Sequence, residues 1–325
     1  MARHIDIEKQ RETALHDAVD VLLSGHPVAI PTETVYGLAA DATNPAAIAR
    51  IYETKGRPQF NPLICHMASI AMAEEYALFD PISRKLAEAF WPGPLTLILP
   101  LKPDSGIHAL ATAGLDSVGI RIPKGFASAL IAAFGRPLAA PSANSSGKIS
   151  STSAAHVEAD LGDRISLILD DGAAPVGVES TIVKVEKDGS VRLLRPGGLV
   201  AKDIERVAGI KLIRPKKASA AIEAPGMLAS HYAPGASVRL NATSVEKGEA
   251  LIRFGGQPIP GEEQAAIVLD LSPQGDLAEA AANLFDHLKT ADASGAASIA
   301  ITAIPDTGLG EAINDRLTRA AAPRP

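Results

Sequence analysis

The chain of 325 residues contains a single cysteine, Cys65. One thiol excludes an intramolecular disulfide and any cysteine-rich zinc or iron–sulfur centre, and it fits a reducing compartment. Aromatic residues are scarce at 4%, so the cores have to be aliphatic. Positive charge is not in excess: 31 Lys and Arg stand against 37 Asp and Glu, a formal net charge of -6. No global field therefore drives nonspecific binding to nucleic acid or anionic lipid, and any anion site has to be local. No apolar run approaches a membrane span, and the opening MARHIDIEKQRETALHDAV lacks the apolar core of a signal peptide. A soluble, cytoplasmic protein is expected. G-x-x-x-x-G-K-[ST], H-E-x-x-H and G-x-S-x-G are all missing, which leaves P-loop hydrolysis, zincin proteolysis and an α/β-hydrolase elbow unsupported. TGLGEA at 307–312 lacks the third glycine of a dinucleotide fingerprint.

What is present alternates between two periodicities. Ala14, Ala18, Val21 and Leu22 recur at helical spacing over 8–24, and Gly25 offers a stop. Asn44-Pro45 is a cap and first-turn pair for a helix through about Glu53, with Gly56 placed to end it. Apolar strand-like runs lie at 63–67, 95–101, 117–122, 138–140, 165–169, 180–185 and 191–194, with helical patterns at 69–78, 83–90, 125–134 and 153–161. Turns as short as KDGS at 187–190 predict a mixed sheet flanked by helices rather than a strictly alternating parallel one. This first α/β domain runs over 1–210. Residues 211–236, rich in Pro, Gly, Ala and Lys, read as a linker. Over 237–325 the pattern is strand 238–240, helix 244–252, strand 266–269, helix 276–290, strand 298–302 and helix 310–320. That alternation predicts a small doubly wound, Rossmann-like domain with a parallel sheet.

Polar groups cluster at the predicted strand ends: Thr32 and Thr34; Lys55, Arg57, Asn61 and His66; Ser117 and Arg121; Ser142 and Asn144; Glu179, Ser180 and Thr181; Arg195. Four strong cations among hydroxyls and amides can hold phosphates and a carboxylate without a Walker loop, because Arg supplies a bidentate fork and Lys a point charge. Each residue also has a plain alternative. An Arg at a strand end is commonly a solvated flank, His66 in LICHM reads as a satisfied core histidine, and Ser142 with Asn144 can cap the following segment.

Together, IPTETVYGLAADA (30–42), KGR with NPL (55–63), WPGPLT (91–96), SVGIRIP (117–123), APSAN (140–144), GVESTIV (177–183), LLRPG (193–197) and APGMLASHYAP (224–234) resemble the YrdC-domain family. They are similar in particular to its longer, two-domain L-threonylcarbamoyladenylate synthases. The resemblance implies a YrdC-like catalytic domain and an enzyme, a nucleotidyltransferase. It would condense L-threonine, bicarbonate or CO2, and ATP to L-threonylcarbamoyladenylate and pyrophosphate, for N6-threonylcarbamoyladenosine at position 37 of tRNA. By similarity, Thr34, His66, Arg121, Ala140 and Ser180 match threonine-binding positions. Lys55, Arg57, Asn61, Ser117, Ser142, Asn144, Ser150 and Arg195 match ATP-binding ones, Lys55 and Arg57 forming the K-x-R motif to which catalysis is assigned. Tyr232 resembles a linker tyrosine reaching over the nucleotide, which makes 224–234 a candidate lid. Mg2+ would travel on the phosphates with few or no direct protein ligands, no organic cofactor is implied, and the product would pass to a tRNA threonylcarbamoyl-transferase complex. Weak RNA binding by the enzyme is compatible with the resemblance, and the competing reading is a double-stranded RNA or tRNA-binding module without catalysis, which would track phosphates with a basic face.

Overall fold

The structure, a computed structural model, describes residues 1–215, 223–226 and 231–323. Among these residues eleven strands form one mixed sheet. Its spatial order is Arg3–Asp6, Leu167–Asp170, Val28–Ile30, Gly37–Asp41, Leu138–Ala139, Ile64–His66, Ser117–Arg121, Leu95–Pro100, Thr181–Val185, Val191–Arg195 and Leu212–Ile213. The middle of the sheet combines both pairings. Ile64–His66 runs parallel to Ser117–Arg121 but antiparallel to Leu138–Ala139, while Leu95–Pro100 is antiparallel to Ser117–Arg121 and parallel to Thr181–Val185.

Strand side chains alternate between faces, and here the alternation divides core from site. Cys65, Leu95, Leu97, Leu99, Val118 and Ile120 pack into an aliphatic core with helix residues Ile48, Ile51, Leu86 and Ala87. The intervening positions Ile64, Ile98 and Ile182 form a separate apolar cluster with Leu194 and Ala224 on the opposite face. Helix Pro45–Lys55 begins where its sequence predicts: Asn44 Oδ1 accepts from the N–H groups of Ala46 and Ala47, and Pro45 fills the first turn. Gly56, at φ 59°, ends it in the left-handed region and turns the chain so that Lys55 and Arg57 leave together.

The second sheet orders Ser237–Leu240, Ser298–Ile301, Ala250–Arg253 and Ile267–Asp270, all parallel. One face, carrying Ala250, Ile252, Ile299 and Ile301, packs in a cluster with Leu284, Phe285, Leu288, Ile313 and Leu317 of helices Leu277–Ala293 and Gly310–Ala320. Leu251 and Ala300, on the other face, meet Ala242, Val245, Ile259 and Ala265. The helix expected at 244–252 does not form. Gly248, at φ 82°, makes a turn, and the apolar Ala250–Ile252 run becomes a strand paired on both sides, where an unbroken apolar stretch is at home. The edge strand Arg3–Asp6 carries too polar a pattern, RHID, to be visible in the sequence, and pairing with Leu167–Asp170 organises it. No helix among the described residues is long and apolar enough to cross a membrane.

Val35, Ile149 and Val178 join the C-terminal apolar cluster, so the two sheets share packing. The backbones come close at Gly177, where φ is 74° and a Cβ would stand 2.3 Å from the carbonyl oxygen of Ala281. Gly177→Ala is therefore expected to destabilise the chain by about 2–4 kcal/mol, combining backbone strain with overpacking. Thermal unfolding several degrees below the parent checks this, and an unchanged midpoint contradicts the contact.

Candidate active site

A cavity of about 50 Å³ opens on the sheet face opposite the aliphatic core. The parallel register sets His66 directly beside Arg121 in its lining. Arg121 is buried. Its Nη1 donates to Thr34 Oγ1 at 2.8 Å and its Nε to the Gly93 carbonyl at 3.2 Å. Nη2 lies 2.7 Å from Glu33 Oε2, but off hydrogen-bond geometry, so Arg121 Nη2 and Glu33 Oε1 are both buried without a hydrogen-bond partner. Thr34 is held in turn by Thr32, whose hydroxyl donates to the Val35 carbonyl at 2.7 Å and lies 2.9 Å from Thr34 Oγ1. His66 Nδ1 is buried and unpartnered. Burial, reinforced by the Arg121 cation, pushes the imidazole down to about 3, so it is neutral at physiological pH. Ala140 also lines the cavity, its N–H fixed on the Ile64 carbonyl at 3.0 Å, and Ser180 Oγ lies 2.7 Å from Thr96 Oγ1.

Three further buried cations stand at or beside the cavity. Lys55, Arg57 and Arg195 are 3%, 9% and 4% exposed, and among the described residues their side-chain hydrogen bonds are to oxygens of neutral groups. Lys55 Nζ donates to the carbonyls of Ser142, at 2.5 Å, and Asn144. Arg57 donates to the carbonyls of Asn61 at 3.2 Å and Pro62 at 2.8 Å. Arg195 grips the Ser180 carbonyl through Nε and Nη2, at 3.1 and 3.0 Å, touches Ser180 Oγ at 3.2 Å, and reaches the Pro225 carbonyl at 3.4 Å. Burial lowers all three pKa values: Lys55 falls well below its ordinary value, with Arg57 adding to the effect, and Arg57 falls to about 10. Among the described residues none of the three donates a hydrogen bond to a carboxylate, although Glu179 lies near enough to Arg195, and Asp160 to Lys55, to offset part of the cost of burial.

Of the residues singled out in the sequence, Thr34, Arg57, His66, Arg121, Ala140, Ser142, Ser180, Arg195 and Tyr232 line this one cavity. Lys55, Asn61, Asn144 and Ser150 stand behind the lining. Asn61 Oδ1 and Asn144 Oδ1 are buried without partners, and Ser150 Oγ donates to Glu179 Oε1 at 2.6 Å. Ser117 is not brought in: it opens the strand that ends at Arg121, about 13 Å away at ordinary strand rise. Of the candidate lid, Ala224–Gly226 and His231–Pro234 are described, whereas 227–230 lie outside the described residues. Pro225, Gly226, His231 and Tyr232 line the cavity. Tyr232 packs between the His231 ring and Phe285 of helix Leu277–Ala293.

Three participants were not assigned from sequence. Glu33 faces Arg121, and its place between two threonines in TET was the available signal. Glu179, already among the strand-end polar groups, lines the cavity, where burial would raise its pKa but the Arg316 and Arg195 cations outweigh that and hold it at about 2. Arg316 had no signal, because it reaches Glu179 from 137 positions away. As for a metal, each carboxylate at the cavity already faces an arginine, so the lining has no free carboxylate set for a resident divalent ion.

His66 and His231 share one consequence. Burial holds His231 at about 3 as well, so both folded values lie below the ordinary 6.5. The folded chain then binds fewer protons than the unfolded one between these limits. The stability is full above about pH 6.5 and is lost as pH falls through the window, by roughly 1 kcal/mol per unit for each histidine. Denaturant midpoints measured from pH 7 to 5 should fall, and a His66→Gln, His231→Gln double variant should fall less steeply. Equal slopes would contradict the burial of both rings as neutral groups.

A family model described as "Telomere recombination" matches residues 20–197, and one described as "Threonylcarbamoyl-AMP synthase, C-terminal domain" matches 199–322. The chain is 43% identical to the threonylcarbamoyl-AMP synthase of Bacillus subtilis, covering 94% of this chain and 92% of that protein. It is 39% identical to the synthase of Pyrococcus abyssi, covering 98% and 96%. A crystal structure of P. abyssi Sua5 in complex with L-threonine superposes with a TM-score of 0.86 at 37% identity, covering 99% of this chain and 97% of that one. With both family models matched in order and this likeness along nearly its whole length, the chain belongs to the two-domain threonylcarbamoyl-AMP synthase family.

Proposed function

We propose that the cavity condenses L-threonine, bicarbonate or CO2, and ATP to L-threonylcarbamoyl-AMP and pyrophosphate. The observation that carries this reading is a single cavity lined by the buried cations Arg57 and Arg195, with buried Lys55 beside it, and by the Arg121–His66 pair. A phosphate-tracking RNA module presents its cations to solvent, and burial of these three argues against that use. Arg121 suits the threonine carboxylate, since Nη2 keeps its hydrogen-bonding capacity. Neutral His66, with Thr34 and Ser180, suits the hydroxyl and amine, and Ala140 borders the same space.

The threonine nitrogen forms a bond to the carbon of CO2 and loses a proton, giving a carbamate. A carbamate oxygen then attacks the α-phosphorus in line while the bond to the pyrophosphate oxygen breaks. No protein nucleophile is needed, so positioning and charge stabilisation dominate. Arg57 and Arg195 meet the triphosphate from the lining. Lys55 secures the Ser142–Asn144 loop through its carbonyls and assists by exchanging these contacts for phosphate oxygens. Asn61, Asn144 and Ser150 support the nucleotide end, and Ser117 serves only a portion of the nucleotide extending along its strand. Mg2+ belongs to the nucleotide substrate rather than to a resident site. Tyr232 and its neighbours in 211–236 cover the nucleotide between a catalytic domain, 1–210, and an accessory one, 237–325. The product feeds a threonylcarbamoyl transfer to tRNA in the cytoplasm.

Pyrophosphate release from ATP should require threonine and bicarbonate together, and release indifferent to threonine would overturn the reading. Substitutions should separate the two substrates. Arg121→Met is expected to raise the KM for threonine about 10–100-fold with a small effect on ATP, and Arg57→Met to do the reverse, from loss of charge-assisted hydrogen bonds. Initial-rate kinetics in both substrates checks this, and equal effects on both would refute the assigned division.

A further inference from the structure

Arg316, on helix Gly310–Ala320, is fully buried in the wall behind the cavity. Its Nε donates to Glu179 Oε2 at 2.8 Å, and its Nη1 to the Pro196 carbonyl and to Asp315 Oδ2, both at 2.9 Å. Asp315 Oδ2 also takes Arg319 Nε at 3.0 Å, so that carboxylate is shared by a second cation. The Arg316 guanidinium stands 5.2 Å from the centre of the Tyr232 ring, within cation–π range. Glu179 is the one carboxylate among the residues lining the cavity, and Arg195 beside it is a cation the nucleotide would need. Left unpaired, Glu179 would compete for Arg195 and repel a triphosphate across a dry wall.

Resting on the assignment of this cavity to ATP, we propose that Arg316 is a positioning residue of the nucleotide site. The C-terminal domain supplies the counter-charge that occupies Glu179, leaves Arg195 directed at phosphate, and backs the Tyr232 ring. On this reading the accessory domain completes the electrostatics of the catalytic pocket rather than carrying a separate ligand.

The test uses the full chain and calorimetric binding of a non-hydrolysable ATP analogue, with threonine binding measured alongside. Arg316→Met is expected to weaken the analogue about tenfold or more, the scale of one charge-assisted interaction, and to leave threonine affinity within about threefold of the parent. Adding Glu179→Gln to Arg316→Met should recover most of the loss, because the offending charge is gone. Arg316→Lys, which keeps the charge, should retain most of the affinity and serves if the methionine variant does not fold. Parental analogue binding by Arg316→Met, no recovery in the double variant, or a lysine variant as weak as methionine overturns the proposal. Failure of the unaltered chain to bind the analogue is a separate result, which overturns the nucleotide assignment itself.

Discussion

A guanidinium or ammonium group taken out of water loses several kcal/mol of hydration unless charge or acceptors replace it. Lys55, Arg57 and Arg195 are held in that condition with carbonyl and hydroxyl oxygens as their partners among the described residues. The surrounding structure is arranged to make this tolerable: the Lys55 ammonium pins the Ser142–Asn144 loop, Arg57 closes its own turn onto Asn61 and Pro62, and Arg195 clamps Ser180. Each cation thus shapes a piece of the cavity without a hydrogen bond to a carboxylate among the described residues. On the proposed reading a triphosphate would supply that counter-charge, and the same groups would face the pyrophosphate as it leaves.

Carboxylates are handled in the opposite way. Glu33 is set against Arg121, and Glu179 against Arg316. Both carboxylates are thereby engaged by arginines rather than left as a pair of free donors. The two pairs differ in consequence. Arg121 faces Glu33 off-axis and keeps hydrogen-bonding capacity for a ligand, whereas Glu179 accepts from both Ser150 and Arg316 and is spent as a structural anchor.

Much of the fold was legible because it rests on local rules. Asn44-Pro45 and Gly56 bracket a helix whose exit carries Lys55 and Arg57, and the apolar runs became strands of the large mixed sheet. The expected helix at 244–252 failed for a nonlocal reason: Ala250–Ile252 found strand partners on both sides, and hydrogen bonding across a sheet outweighs a weak helical pattern. Motif order brought Thr34, His66, Arg121, Ser180 and Arg195 to one cavity, but not Ser117, since a strand carries its two ends apart however close they stand in sequence.

By itself the sequence determined the residue types of the site, the strand ends that carry them and, through resemblance, the family. Tertiary structure decided which charges face one another. It turned Lys55 toward loop carbonyls rather than open space, set Glu33 against Arg121, and brought Arg316 across 137 positions to Glu179. Coulombic and hydrogen-bond energies depend on distance and dielectric in space, and separation along the chain encodes neither.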